Sequence, residues 1–295
     1  APSGKEYSPD ENGKIRIISS EDGQSWESVS LISEVGIDLR DPKFSLMPDG
    51  KLMINCGGSD YSDGLQEWHT RVMFSEDGIT WTPPRRVKGI PPNNWFFRLT
   101  WYNGTAYAVP FLCGADPETG IVDRYNRKML LFSTVDGMNY KSVSDTFPIT
   151  AAGEATIRFK DDKSMLVLIR EKGGASVQGI LGKSYPPYKE FVFSSVAHGL
   201  GGPNFIALPG GKWLVGTREH RFERPGGREG TATVLLIMDD SGNYERVAEL
   251  ISGGDTSYPG MIIIDKVVWV SFYSSHEGKP SIYLSRIPLD SLIAF

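Results

Sequence analysis

The sequence predicts an all-β fold, a β-propeller on a six-bladed plan whose N-terminal blade is incomplete. Three observations predict it. A turn motif recurs with a period near 55 residues, the range in which propellers and solenoids repeat. Apolar residues fall in short paired runs around turn residues instead of long helical stripes. Glycine (33), proline (19), tyrosine (12), phenylalanine (14) and tryptophan (7) are plentiful, as strands and tight turns require. A closed five-bladed ring is the alternative, and one domain spanning 1–295 accommodates either.

The turn motif is Ser20-Glu21-Asp22-Gly23-Gln24-Ser25-Trp26. It returns as Ser75-Glu76-Asp77-Gly78-Ile79-Thr80-Trp81, and more loosely from Thr134 to Tyr140 around Asp136-Gly137. Asp accepts nearby backbone N–H groups, Gly supplies a positive φ, and the aromatic folds back on the flanking strands. These Asp residues are therefore scaffold. Weaker echoes stand at Lys183 to Tyr188 and at Asp240-Ser241-Gly242-Asn243-Tyr244.

Between the turns lie five hairpins. They run from Phe44 to Ile54 through Pro48-Asp49-Gly50, Phe97 to Val109 through Asn103-Gly104, and Thr156 to Ile169 through Asp161-Asp162. The last two run from Phe205 to Val215 through Pro209-Gly210-Gly211 and from Met261 to Phe272 around Asp265-Lys266. Third strands follow, such as Arg71 to Phe74, Met129 to Phe132, Val234 to Ile237 and Ile282 to Ile287. Such units bury both faces only when neighbours stack on them. Ile15 to Ile18 and Val29 to Ile32 flank the first turn motif and read as the outer half of a further blade without its inner hairpin.

A net charge of −5 argues against nucleic acid or an anionic membrane surface as the main partner. No apolar run approaches the roughly 18 residues of a membrane span, and no basic-then-apolar leader opens the chain. Cys56 and Cys113 each end an apolar run and read as buried free thiols. No His, Cys and carboxylate cluster has metal spacing, and no cofactor motif is present; Gly57-Gly58 and Gly201-Gly202 precede no helix, as a phosphate loop would. The sequence leaves the oligomeric state open.

Propeller sites lie where inner strands converge, so polar residues at hairpin ends are the candidates. Glu154 enters the third hairpin and Arg170 leaves it. Arg218 leaves the fourth, and Tyr258 enters the fifth in Asp255-Thr256-Ser257-Tyr258. Tyr273 and His276 follow the fifth exit strand and are placed at the mouth of the site. His220 stands beside Arg218-Glu219, whereas His69 and His198 are isolated and read as structural. Trp68, Trp95 and Trp101 read as core aromatics.

With these repeated turns, the chain resembles the sialidase (neuraminidase) superfamily, in particular its bacterial BNR-repeat members, and the resemblance covers essentially the whole chain. It implies an exo-glycosidase that retains configuration, acts on an acidic sugar of a glycan, and is secreted or periplasmic. Glu154, Arg170, Arg218 and Tyr258 fall in the family's order, with Asp255 opening the counterpart of its D-S-G-Y segment. Tyr258 is implied as nucleophile, which needs an adjacent carboxylate because a free phenol ionises only near 10; Glu154 is implied as that base. Guanidinium groups grip a carboxylate through paired hydrogen bonds, the role implied for Arg170 and Arg218. The family's remaining arginine and its acid Asp precede the first turn motif; their nearest counterparts here are Arg40, in Leu39-Arg40-Asp41-Pro42, and Asp60 or Asp63.

Two other readings fit the residues. Arg40-Asp41-Pro42 also resembles the R-D-P segment of fructan-cleaving furanosidases, in which case Glu154 is an acid and Asp41 orients substrate. Propellers also serve as non-catalytic carbohydrate-binding platforms.

Overall fold

The recurring Asp residues close their turns by direct hydrogen bonding. Asp22 Oδ1 accepts the N–H groups of Gln24 and Ser25 at 2.7 and 2.8 Å. Asp77 accepts those of Ile79 and Thr80 at 2.8 and 2.7 Å, and Asp136 those of Met138 and Asn139 at 2.8 Å each. Backbone bonds from Thr80 and Ile79 hold the Asp77 carboxyl down at about 2. The later echo is displaced by one residue: Asp239, not Asp240, accepts the N–H groups of Ser241 and Asn243. Asp240 instead accepts Trp213 Nε1 at 2.8 Å and pairs with Lys160.

The computed structural model describes residues 13–60, 67–113, 129–147, 152–171, 178–221 and 230–293, in two compact units, Ala1–Thr150 and Ala151–Phe295. The first unit opens with a two-stranded ribbon, β1 (Ile15–Ser19) and β2 (Glu27–Ile32). Its first four-stranded sheet is β3 (Ile37–Leu46), β4 (Leu52–Asp60), β5 (Glu67–Ser75) and β6 (Arg85–Arg86). Its second is β7 (Asn94–Tyr102), β8 (Thr105–Leu112), β9 (Met129–Thr134) and β10 (Lys141–Phe147).

The second unit begins with β11 (Ala152–Phe159), β12 (Met165–Glu171), β13 (Gly179–Ser184) and β14 (Val192–Val196). Next come β15 (Gly201–Ala207), β16 (Trp213–Arg221), β17 (Gly230–Met238) and β18 (Tyr244–Gly254). It ends in a three-stranded sheet, β19 (Thr256–Ile264), β20 (Val267–Ser274) and β21 (Ser281–Pro288), and a short helix, α1 (Leu289–Ile293). In every sheet spatial order follows chain order and the pairings are antiparallel. Among the described residues no helix is long and apolar enough to cross a membrane.

Five sheets thus have blade organisation, and the fold is the five-bladed alternative, not the six-bladed plan. The ribbon explains the misreading. Ile15, Ile17 and Ile32 pack on Ile37, Leu39, Ile54, Cys56 and Met73 of the first blade. Leu39 N–H donates to Gly13 O at 3.1 Å. The alternation that resembles half a blade is therefore used to cover the face of the blade that follows it.

Apolar faces meet between successive sheets. In the first unit Met53, Val72, Phe96, Ala108 and Phe132 share one cluster. In the second, Leu168, Leu181, Phe205, Val215 and Val234 join the first two blades, and Leu214, Leu235, Val268, Val270 and Phe272 the last two. Burying a side chain such as Phe96 or Phe205 contributes about 1.5–3 kcal/mol, which fixes the blades whose inner strands carry the polar residues. Cys56 is one of these buried groups, and burial pushes its thiol up to about 12; neither cysteine forms a disulfide, and Cys113, expected to be buried, is half-buried.

Candidate active site

Each inner strand breaks register with its neighbour once, and at an equivalent point. The shifts lie between Arg40 and Lys43, Phe96 and Leu99, Ala152 and Ala155, Gly201 and Asn204, and Ser257 and Gly260. A bulge frees residues from the ladder and re-aims their side chains. The freed pairs are Asp41-Pro42, Phe97-Arg98, Gly153-Glu154, Gly202-Pro203 and Tyr258-Pro259. Asp41, Gly202 and Tyr258 adopt φ of +52°, +56° and +57°. For Asp41 and Tyr258 this is a strained conformation, of the kind that persists where surrounding structure holds it.

Two of these bulges bring Glu154 and Tyr258 together. Tyr258 Oη donates to Glu154 Oε1 at 3.3 Å. Arg170 Nη1, on the neighbouring strand β12, donates to both Glu154 oxygens at 2.9 and 3.0 Å. Burial works against the charge on Arg170, but the adjacent Glu154 carboxylate outweighs it and holds the guanidinium above the ordinary arginine value. Glu154 itself is only 5% exposed, so the ion pair satisfies a carboxylate that would otherwise be costly to bury.

Arg218 borders the same tyrosine. Its Cζ lies 5.5 Å from the centre of the Tyr258 ring and 5.9 Å from that of Tyr273. Nε donates to Thr256 O at 3.0 Å, and Nη2 donates to Tyr273 Oη at 2.5 Å. Tyr273 Oη in turn donates to Asp255 Oδ1 at 2.8 Å. The rings of Tyr258 and Tyr273 are 6.0 Å apart. Glu154, Arg170, Arg218, Asp255, Tyr258 and Tyr273 thus form one group, all within the second unit.

The remaining expected residues have contacts of their own. His276 Nδ1 lies 3.0 Å from Ser274 Oγ, and its ring rests on Tyr283 with centroids 4.3 Å apart. Arg40, in the first unit, pairs with the buried Asp38 and lies 5.9 Å from the centre of Trp68. Trp68 stacks on Trp95 at 5.8 Å, as core aromatics do. Asp60 ends β4, opposite Ile37 and Glu67. Asp63 lies outside the described residues. Among the described residues no group of three or more His, Cys, Asp and Glu could hold a metal ion.

Several contributors act through backbone or absent atoms, which sequence reasoning passed over. A Cβ on Gly202 would fall 2.2 Å from Tyr258 Cδ1, so the ring occupies the space a side chain would need. Thr256 supplies the carbonyl that anchors Arg218, and its hydroxyl is fixed by Thr233 Oγ1 and Tyr273 O at 2.8 and 2.6 Å. Below the site, Arg158 donates to Asn204 Oδ1 at 2.8 Å, and Asn204 Nδ2 donates to Pro259 O at 3.0 Å. This chain ties the third, fourth and fifth blades at the Tyr258 bulge. Burial pulls the Arg158 guanidinium down to about 10. The Gly201-Gly202-Pro203 run was the one legible signal of this arrangement.

No family model matches the chain, and no curated protein matches it. Solved structures do. A protein of unknown function from Dyadobacter fermentans is similar at 18% identity over 92% of this chain and 82% of that one, with a TM-score of 0.72. The GH93 α-L-arabinofuranosidase of Fusarium graminearum, in complex with arabinobiose, gives 14%, 96%, 87% and 0.69. The sialidase of Trypanosoma rangeli gives 15% identity over 95% of this chain and 50% of that one, with a TM-score of 0.64. At these identities the likeness establishes the fold, a β-propeller.

Proposed function

We propose that the chain is a retaining exo-glycoside hydrolase that removes an acidic sugar, sialic acid or a close analogue, from a glycan. The observation that carries this reading is the Tyr258–Glu154–Arg170 group, a phenol in hydrogen-bond reach of a buried carboxylate that is paired with a guanidinium. A distance of 3.3 Å is long for such a bond, and catalytic contacts in empty sites commonly shorten when substrate binds.

Tyr258 passes its proton to Glu154 as the phenol oxygen bonds to the anomeric carbon. The bond from that carbon to the leaving oxygen breaks, and the leaving oxygen takes a proton from an acid outside this group. Water then attacks the same carbon and gives a proton to the conjugate base of that acid, the sugar–Tyr258 bond breaks, and Tyr258 recovers its proton from Glu154, which returns to its carboxylate. Two inversions give net retention. Arg170 and Arg218 carry the substrate carboxylate.

A furanosidase is the second reading, favoured by one observation: Asp41 of Arg40-Asp41-Pro42 occupies the first bulge position of its blade, as Tyr258 does in its own. The α-L-arabinofuranosidase named among the similar structures fits that reading too. A panel of chromogenic glycosides separates the two. Release from an α-sialoside and none from an α-L-arabinofuranoside is the expected result; the reverse pattern favours the furanosidase, and binding without release of either favours a carbohydrate-binding module.

A further inference from the structure

Arg218 is held along one edge. Of its five N–H groups, Nε is taken by Thr256 O and one on Nη2 by Tyr273 Oη; these two atoms form the side of the guanidinium fork. Among the described residues Nη1 makes no hydrogen bond, so the end of the fork, the edge that accepts a carboxylate in bidentate fashion, is left for a ligand. A flexible arginine loses rotamer entropy on binding, whereas one already fixed does not.

What fixes this edge is a chain of two residues. Tyr273 Oη receives from Arg218 and gives its own proton to Asp255 Oδ1 at 2.8 Å. The phenol oxygen is thus committed as acceptor and donor at once. Asp255 is itself seated by its backbone: its N–H donates to Ser275 Oγ at 3.1 Å, and its carbonyl accepts from Ser275 N–H at 3.0 Å. The negative charge of Asp255 thereby reaches Arg218 through one hydroxyl, without pairing directly and occupying the free edge.

We propose that Tyr273 and Asp255 are positioning residues that set Arg218 for a substrate carboxylate and so determine the preference for acidic over neutral sugars. This rests on the glycosidase reading above. Neither residue touches the reacting atoms; both act through Arg218. Neighbouring groups that form one chain are coupled, so removing either link does the damage once.

The test compares wild type with Tyr273→Phe, Asp255→Ala and the double variant on a fluorogenic α-sialoside, and measures inhibition by the free acid sugar and by its uncharged carboxamide. Phenylalanine preserves the ring beside Tyr258, so the single variant tests the hydroxyl alone. KM for the sialoside is expected to rise about tenfold in each single variant and no further in the double, with kcat falling less than about threefold. The inhibition constant of the free acid should rise in parallel, and that of the carboxamide should not move. Asp255→Asn, which keeps an acceptor for Tyr273, should recover part of the loss. An active wild type with unchanged KM in both single variants overturns the positioning role. Equal losses for acid and carboxamide also overturn it, since a merely structural defect would not discriminate. A wild type that neither cleaves nor binds the sialoside overturns the proposed function, and this inference with it.

Discussion

The hydroxyl of Tyr258 reaches Glu154 Oε1 at 3.3 Å across 104 residues of chain. Both residues sit in bulges of inner strands, and each is braced from its other side, Glu154 by Arg170 and Tyr258 by the bare backbone of Gly202.

Gly202 is the first point at which this contact can be broken without touching either partner. Its φ of +56° and the 2.2 Å approach of Tyr258 Cδ1 exclude a side chain. Gly202→Ala is expected to cost about 1–3 kcal/mol of stability and to displace the Tyr258 ring. Steady-state kinetics should show a larger fall in kcat than rise in KM.

Arg170→Ala leaves the Glu154 carboxylate buried without its cation. Breaking such a pair costs about 3 kcal/mol. The sign of its pH dependence follows from the orphaned acid, which in the variant ionises less readily than in the unfolded chain. The penalty is therefore small at low pH, where Glu154 is neutral in both states, and grows as pH rises through the ordinary carboxylate range. Urea unfolding at pH 4.5 and pH 8 checks this.

Tyr140 runs the other way. Its hydroxyl is buried with no hydrogen-bond partner among the described residues, and burial raises its pKa well above the ordinary tyrosine value. Tyr140→Phe removes an unsatisfied polar atom while keeping the ring against Phe96, so it is expected to leave stability unchanged or raise it by up to about 1 kcal/mol.

In the second turn motif, hydrogen bonds to the charged form hold Asp77 at about 2, below its ordinary 3.8. The stability this contributes is present above the unfolded value and is lost as pH falls through the folded one. Asp77→Asn should flatten the decline in melting temperature between about pH 4 and pH 2.

The hairpins were legible because their turn chemistry is local: Asn103-Gly104 and Pro48-Asp49-Gly50 announce their bends, and β-patterned runs flank them. Glu154, Arg170 and Arg218 were legible as charged residues at hairpin ends, and Tyr258 through the Asp255-Thr256-Ser257-Tyr258 segment at the entry to the fifth hairpin. The blade count was not, since Ile15, Ile17 and Ile32 alternate as an outer blade would while in fact covering the first blade. Gly202 and Thr256 contribute through a missing side chain and a carbonyl, which residue types do not advertise. Asp240 was mistaken for the turn acceptor because Asp239 beside it has the same side chain, and only backbone direction separates them.

The most direct measurement is intact and peptide mass spectrometry after incubation with a fluorinated acidic glycoside that forms the glycosyl-enzyme quickly and loses it slowly. One sugar should attach, on the peptide carrying Tyr258, and Tyr258→Phe should abolish both the adduct and on the order of 10³-fold or more of the turnover while the circular dichroism spectrum is unchanged. An adduct on a carboxylate, or full activity in Tyr258→Phe, would contradict Tyr258 as the nucleophile.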